Sequence, residues 1–217
     1  MRIDPAGLPF VGLAAGLGLV SGVAGFWPAA AALALLAAFF LFFFRDPDRR
    51  TPVDAHIVVS PADGRVLVAG RAEAGAAPPG TWLQVSIFLS PMDVHVNRIP
   101  VSGRVSRTTF TRGRFLPAYR HDAGTANERS EIWIDHGGEH IVARQIVGML
   151  ARRVVCRVAP GAEVRTGERF GIMKFGSRMD VFVPPTAELR VKAGETVRGG
   201  ETVIAVLHSG GLGHGSL

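Results

Sequence analysis

Four short segments concentrate the residues able to do chemistry. Lys174-Phe175-Gly176-Ser177-Arg178-Met179-Asp180 sets a hydroxyl directly after a glycine, and Ser60-Pro61-Ala62-Asp63-Gly64 sets a carboxylate in a turn-forming context. Ser90-Pro91-Met92-Asp93-Val94-His95 adds a second carboxylate with an imidazole two residues on, and Asn127-Glu128-Arg129 an amide, a carboxylate and a guanidinium. A hydroxyl becomes a nucleophile once a base takes its proton. An imidazole titrates near neutrality and can give or take that proton. Taken singly, each segment has an ordinary structural explanation, because Gly-Ser and Asp-Gly pairs are common in turns. His136 and His140, four apart, would suit zinc on a helix face, but Asp135-His-Gly-Gly-Glu139 lies between two β-like runs and reads as a hairpin turn. No metal site is expected there, and His56, His121, His208 and His214 have no partner pattern.

The elements that must position these groups divide into two kinds. The 217-residue chain is 47% hydrophobic and only 19% charged, too apolar for a disordered chain and unusual for a wholly soluble one. From Pro5 to Phe44 no charged residue occurs. As one helix this run would be about 60 Å long, roughly twice a bilayer's hydrocarbon core. Gly25-Phe26-Trp27-Pro28 interrupts it near the middle, which predicts a transmembrane helical hairpin. A cleaved signal peptide and a single span preceded by an interfacial helix are the alternatives. In a hairpin Arg2 and the cluster Arg45, Arg49 and Arg50 fall on one side, so the positive-inside rule places both ends, and the domain that follows, on the cytoplasmic face of the cell membrane. The net charge of +6 resides after residue 44, since Arg2 and Asp4 cancel. A basic domain tethered to a bilayer is drawn to anionic headgroups. Nucleic acid is not expected as a partner: there is no basic helix, zinc-finger spacing or aromatic ribonucleoprotein motif. Cys156 is alone, so no intrachain disulfide forms.

After Arg50 the pattern changes to short alternating or β-branched runs separated by Gly, Pro and Asp. Strands are predicted over 56–60, 65–68, 82–89, 103–109, 131–135, 140–147, 152–158, 169–174, 179–183 and 202–207. The expected fold is a mainly β domain, sandwich- or barrel-like and α+β at most, over residues 47–217, behind a membrane anchor over 1–46. Gly161-Ala-Glu-Val-Arg-Thr-Gly-Glu and Gly194-Glu-Thr-Val-Arg-Gly-Gly-Glu form a weak repeat, each a glycine turn followed by a strand. The Gly-rich tail from Ser209 is expected to be loose.

The four chemical segments, in this order and spacing behind a membrane anchor, resemble the phosphatidylserine decarboxylase family, in its short, two-fragment branch. The resemblance runs from about Phe42 to Val206. It implies a proenzyme that cuts itself between Gly176 and Ser177 into fragments 1–176 and 177–217, which stay together as a heterodimer. The residues can supply that chemistry: the Ser177 oxygen can attack the Gly176 carbonyl through a five-membered ring, turning the amide into an ester. Elimination would leave dehydroalanine at the new amino terminus, and hydrolysis with loss of ammonia would leave a pyruvoyl group. The resemblance implies that this group forms a Schiff base with phosphatidylserine and accepts the electrons released as CO2 departs, yielding phosphatidylethanolamine without metal or diffusible cofactor.

Carried over residue by residue, the resemblance makes His95 the proton donor in decarboxylation, Asp63 the base for self-cleavage, and Asp93 a second carboxylate of the site. Where the longer branch has a second histidine, this chain has Arg98, which cannot act as a base at neutral pH. Either Asp63 then acts directly or through water, or His95 serves both steps, and Arg98 is left to hold a carboxylate or phosphate. Asn127, Glu128 and Arg129 are expected to orient the serine headgroup, and Arg112 and Arg114, flanking Gly113, to reach the phosphate. Higher oligomers are compatible with this reading. Two others compete: a biotinyl- or lipoyl-like carrier modified at Lys174, from Met173-Lys174 among glycine turns, and a membrane-anchored β adaptor without activity.

Overall fold

The computed structural model describes residues 2–72, 75–149, 154–174 and 176–208. The uncharged run forms two helices, α1 (Leu8–Val23) and α2 (Trp27–Phe43), each with a proline in its first turn, where a missing N–H costs nothing. Gly25, at φ +83°, makes the reversal between them. The helices pack antiparallel. Gly18 lies against Ala30, Leu33 and Ala34, Gly22 against Ala30 and Trp27, and toward the other end Phe10 meets the rings of Phe40 and Phe44. The expected helical pair is present, and its return pairs β2 (Arg45–Asp46) with β1 (Arg2–Ile3). Pro5–Val23 is long and apolar enough to cross a membrane, while Trp27–Phe43 is apolar but shorter, at 17 residues.

Beyond Asp46 the described chain is mainly β. Its strands are β3 (Ile57–Val59), β4 (Gly64–Arg71), β5 (Leu83–Leu89), β6 (Val96–Arg98), β7 (Gly103–Thr111), β8 (Arg129–His136) and β9 (Glu139–Ile146), then β10 (Val154–Cys156), β11 (Glu163–Val164), β12 (Arg169–Met173), β13 (Ser177–Val183), β14 (Glu188–Leu189), β15 (Thr196–Val197) and β16 (Val203–Val206). One helical turn, α3 (Ala123–Ala126), interrupts them. An eight-stranded antiparallel sheet runs β11-β7-β8-β9-β13-β5-β4-β15, with three-stranded sheets β10-β12-β6 and β14-β16-β3 beside it. Register shifts at Val66/Val68 and Val105/Arg107 curl the large sheet. Every predicted strand region contains an observed strand, but residues 152 and 153 of the 152–158 prediction and the tail from Ser209 lie outside the described residues. The predicted strands of the domain leave out β6 and β14, which at three and two residues are too short for a pattern to register.

β13 is buried along its whole length. Met179, Val181 and Val183 enter the main core with Val85, Ile87, Ile141 and Ala143, while Phe182 joins Trp82 and Val142 on the opposite face. The weak repeat has a structural counterpart. Its two short strands, β11 and β15, close opposite edges of the large sheet, Val164 pairing with Gly103 and Val197 with Gly64. At both glycines a Cβ would fall within about 2.2 Å of a neighbouring carbonyl oxygen, of Asp135 and of Phe88, so the side chain is excluded by backbone approach. His136 and His140 sit on the two strands of the β8–β9 hairpin, turned by Gly137 and Gly138 at positive φ, rather than on one helix face.

Candidate active site

Ser177 opens β13 and pairs with Leu89 of β5, so it belongs to a strand rather than to the turn expected for a Gly-Ser pair. By the two-residue alternation of β13 it shares the inward face of Met179 and Val181. It is fully buried, and its Oγ has no hydrogen-bond partner among the described residues. Leaving a hydroxyl buried and unpaired costs about 1–3 kcal/mol, which marks the group as held for something other than stability. Gly176, before it, has φ +70° and open space where a Cβ would be, among the described residues. Its left-handed backbone conformation is one that glycine adopts without strain. Phe175 lies outside the described residues.

The carbonyl oxygen of Gly176 is packed against a residue that the sequence reading overlooked. A Cβ on Gly148 would sit 2.1 Å from that oxygen. β9 ends at Ile146, one pair short of Ser177, and the chain then turns so that Gly148 meets Gly176. Asn127 holds this turn: its Nδ2 donates to Val147 O and Leu116 O, each at 2.8 Å, and its Oδ1 accepts from Leu116 N at 2.9 Å. Both ends of the amide are thereby committed to the backbone. Glu128 accepts the Val147 N–H through its carbonyl, and Arg129 Nη1 donates to Thr125 O at 2.7 Å. Arg112 and Arg114 are exposed, and Arg114 exchanges backbone bonds with Ala126 and Glu128. The two loop segments expected to face the headgroup therefore do meet, beside the Gly176 carbonyl.

His95 lies just before β6, and its backbone oxygen accepts the N–H of Met173, four residues ahead of Ser177. The ring is fully buried, with Nδ1 2.9 Å from the carbonyl oxygen of Asp93. A carbonyl only accepts, so Nδ1 carries the proton and Nε2 presents a lone pair, which has no partner among the described residues. Burial lowers the His95 pKa from 6.5 to about 4, against the opposing pull of the Asp93 bond and charge, with Arg45 lowering it further. The imidazole is thus neutral at pH 7, a base rather than a ready acid. Asp93 is engaged elsewhere, its Oδ2 accepting Ser90 N–H at 2.8 Å to close the turn.

Two more buried polar residues lie on the strands that adjoin these segments. Asn97, two residues beyond His95, accepts at Oδ1 from Gln145 Nε2 at 2.8 Å. Gln145 pairs with Met179, so it lies diagonally across from Ser177 on the same face, with Cβ atoms roughly 7 Å apart. Among the described residues Asn97 Nδ2 and Gln145 Oε1 are also buried without partners. His95, Asn97, Gln145 and Ser177 thus each carry an unsatisfied polar atom, on or next to strands that adjoin one another in an otherwise apolar interior.

Asp63 is placed differently from the sequence expectation. Its Oδ2 accepts from Arg49 Nη2 and its Oδ1 from Gly199 N–H, both at 2.7 Å. In the other copy of the repeat, Ser102 Oγ accepts Thr166 N–H at 2.9 Å, so Asp63 occupies the matching structural post beside its own glycine turn. β5 separates Asp63, at the start of β4, from Ser177, a backbone separation of roughly 10 Å. Arg98 is likewise committed: Nη1 donates to Gly167 O at 3.0 Å, and Nη2 to Asp46 Oδ1 at 2.9 Å and Pro47 O at 2.8 Å. Arg169 bonds the same Asp46 carboxylate, so the pair clasps the exit of the hairpin to the domain. Lys174 lies over the Phe10 ring, 4.8 Å from its centroid, instead of at an exposed turn tip where a carrier lysine would be. Among the described residues no group of three His, Cys, Asp or Glu side chains is placed to hold a metal ion.

Comparison with known proteins gives this arrangement a family. The profile described as Phosphatidylserine decarboxylase matches residues 36–205. The chain belongs to the phosphatidylserine decarboxylase family. Relatives named phosphatidylserine decarboxylase proenzyme include those of Pelodictyon phaeoclathratiforme, 44% identical over 80% of each chain, and Chlorobium chlorochromatii, 46% identical over 76% of this chain and 78% of the relative. That of Chlorobaculum parvum is 40% identical over 96% of this chain and the whole of the relative, so the likeness includes the helical hairpin. The matched residues 36–205 contain all four chemical segments.

Proposed function

We propose that this chain is a self-processing phosphatidylserine decarboxylase, cut between Gly176 and Ser177 and active at a membrane surface. The observation that carries the reading is the buried hydroxyl of Ser177, unpartnered among the described residues and directly after a left-handed glycine, together with the equally unpartnered Nε2 of the buried His95. For maturation, His95 Nε2 takes the Ser177 proton as Oγ attacks the Gly176 carbonyl; the proton then passes to the departing nitrogen, and an ester replaces the amide. Elimination breaks the Ser177 Cβ–O bond and frees the Gly176 carboxylate. Hydrolysis of the resulting enamine, with loss of ammonia, leaves the pyruvoyl group on the 177–217 fragment. His95 rather than Asp63 suits the role of base, because both Asp63 oxygens are occupied while Nε2 is open. Of the alternatives left by Arg98, the one in which His95 serves both steps is supported.

The residues around Ser177 fit a pyruvoyl group. Its carbonyl oxygens are acceptors, and Asn97 Nδ2 is a buried donor without an acceptor. Once formed, the group supplies a ketone that condenses with an amine and draws off the electrons released with CO2. The chain's own part is to bind and to move protons. Arg112 and Arg114, exposed beside the Asn127 loop, meet the lipid phosphate, and Glu128 and Arg129 lie in position to orient the serine headgroup. In each turnover His95 takes the proton that the substrate ammonium releases on condensing and gives it to the former α-carbon. The two fragments remain paired through β13, held between β5 and β9.

The apolar hairpin is read as the membrane anchor, its ends on the cytoplasmic side of the inner membrane with Arg45, Arg49 and Arg50. α2 ends at Phe43, next to His95, so the site lies at headgroup level. Intact-mass analysis tests the whole reading. Two fragments are expected, the smaller with a blocked amino terminus and an adduct after borohydride reduction with phosphatidylserine; an active preparation of unbroken chain with intact Ser177 defeats it. Protease digestion of sealed inverted vesicles, which should reach the domain, tests its side.

A further inference from the structure

His95 is held by the hairpin as well as by the strands. Its imidazole lies on the ring of Phe43, the last residue of α2, with centroids 4.1 Å apart and planes inclined by 33°. Phe43 is fully buried, in a cluster with Phe44, Val94, Val96 and Ile172 that fills the space between the hairpin and strands β6 and β12. Polar contacts act at the same junction. Arg45 Nη2 donates to Met92 O at 2.7 Å, in the turn that leads into His95, and the Lys174 ammonium rests over the Phe10 ring, three residues before Ser177. The hairpin therefore grips both segments that converge on the cut bond.

We propose that the helical hairpin is a component of the catalytic site, with Phe43 as a positioning residue that fixes the plane of His95 and keeps water from it. The inference rests on the reading of His95 as the proton-transfer group and adds that its orientation is set from α2. A single bond from Nδ1 to Asp93 O leaves the ring free to tilt about that contact, and the flat face of Phe43 removes this freedom. The same face excludes solvent, in keeping with the burial that dominates the lowered His95 pKa. The charged groups acting on the ring are Asp93 in its own turn and Arg45 beyond α2; Lys174, at the end of β12, belongs to the same junction. Because the contact involves the helix end itself, the anchor and the chemistry are physically one unit.

The test uses the full chain, synthesised cell-free with vesicles of phosphatidylcholine and phosphatidylserine, and follows cleavage from pH 4 to 8. Wild type should show an acid midpoint near 4. Phe43→Ala should mature about ten- to a hundredfold more slowly at pH 7, the loss expected of a misplacement of about 1 Å, and its midpoint should move toward 6.5. Leu35→Ala, an exposed position of the same helix, should leave both unchanged. If circular dichroism shows Phe43→Ala to be unfolded, Phe43→Leu carries the test: it keeps bulk without the flat face, so it should mature at least threefold more slowly and with a raised midpoint. Wild-type rate and midpoint in whichever variant folds overturn the proposal. Ser177→Ala, run in parallel, separates the two ideas, because its cleavage at 176–177 would defeat the reading of Ser177 whatever Phe43 does.

Discussion

Replacing Gly148 with alanine places a methyl carbon 2.1 Å from the Gly176 carbonyl oxygen, where ordinary contact begins near 3.4 Å. About 1.3 Å of movement is therefore needed, and the Ala118 methyl, 3.4 Å away on another side, restricts where the new group can retreat. Relieving an overpacked contact of this kind costs about 1–3 kcal/mol, a small part of a domain stability of roughly 5–15 kcal/mol, so the protein should still fold. In the proposed maturation, however, the Gly176 carbonyl is the group under attack. Displacing it by about 1 Å from the Ser177 oxygen should slow cleavage about a hundredfold. Gly70→Ala makes the same chemical change in β4, where a Cβ meets nothing within 4 Å, and serves as the control. The measurement is the time course of full-length chain and 1–176 fragment during cell-free synthesis, with thermal melting to verify folding. If folded Gly148→Ala matures as fast as Gly70→Ala, the packing of Gly148 on the reacting carbonyl has no catalytic meaning and the geometry assigned to the cut bond is wrong.

Other substitutions separate the roles further. Ser177→Ala should remain full length and inactive, read by mass; any cut at this bond contradicts the ester route. His95→Gln should mature at least a hundredfold more slowly, while Asp63→Asn, which keeps the Gly199 bond and loses the Arg49 pair, should stay within about tenfold of wild type. The reverse order would return Asp63 to the role of base. Gly176→Ala must hold an L-residue at φ +70°, costing about 1–2 kcal/mol, so a melting temperature lowered by a few degrees is expected without any steric clash. Acid should destabilise the uncut Ser177→Ala protein through His95. Its folded pKa lies below the unfolded value, so the unfolded chain binds the extra proton. The contribution is complete above pH 6.5 and lost as pH falls to about 4, roughly 3 kcal/mol in all. Urea melts should show this loss in Ser177→Ala and not in the double variant with His95→Gln.

Much of this protein is written locally in its sequence. The uncharged run and its Gly25–Pro28 interruption specify a helical pair because no other backbone arrangement satisfies so long an apolar stretch, and alternating residues between glycine turns specify the strands. The Gly176-Ser177 and Asp93-x-His95 pairs are legible for the same reason, since their chemistry resides in neighbouring atoms. Partnership is decided elsewhere. Asp63 reads as a free carboxylate until β15 brings Gly199 and the hairpin exit brings Arg49 to its two oxygens. Asn127 reads as a ligand until Leu116 and Val147 consume its amide. Gly148, Asn97, Gln145 and Phe43 carry no signal in their own segments. They reach the site only through strand register and helix return, contacts between residues tens of positions apart. A side chain's type fixes what it can do, but burial and the last unpaired atom, which only the packed chain creates, decide what it is free to do.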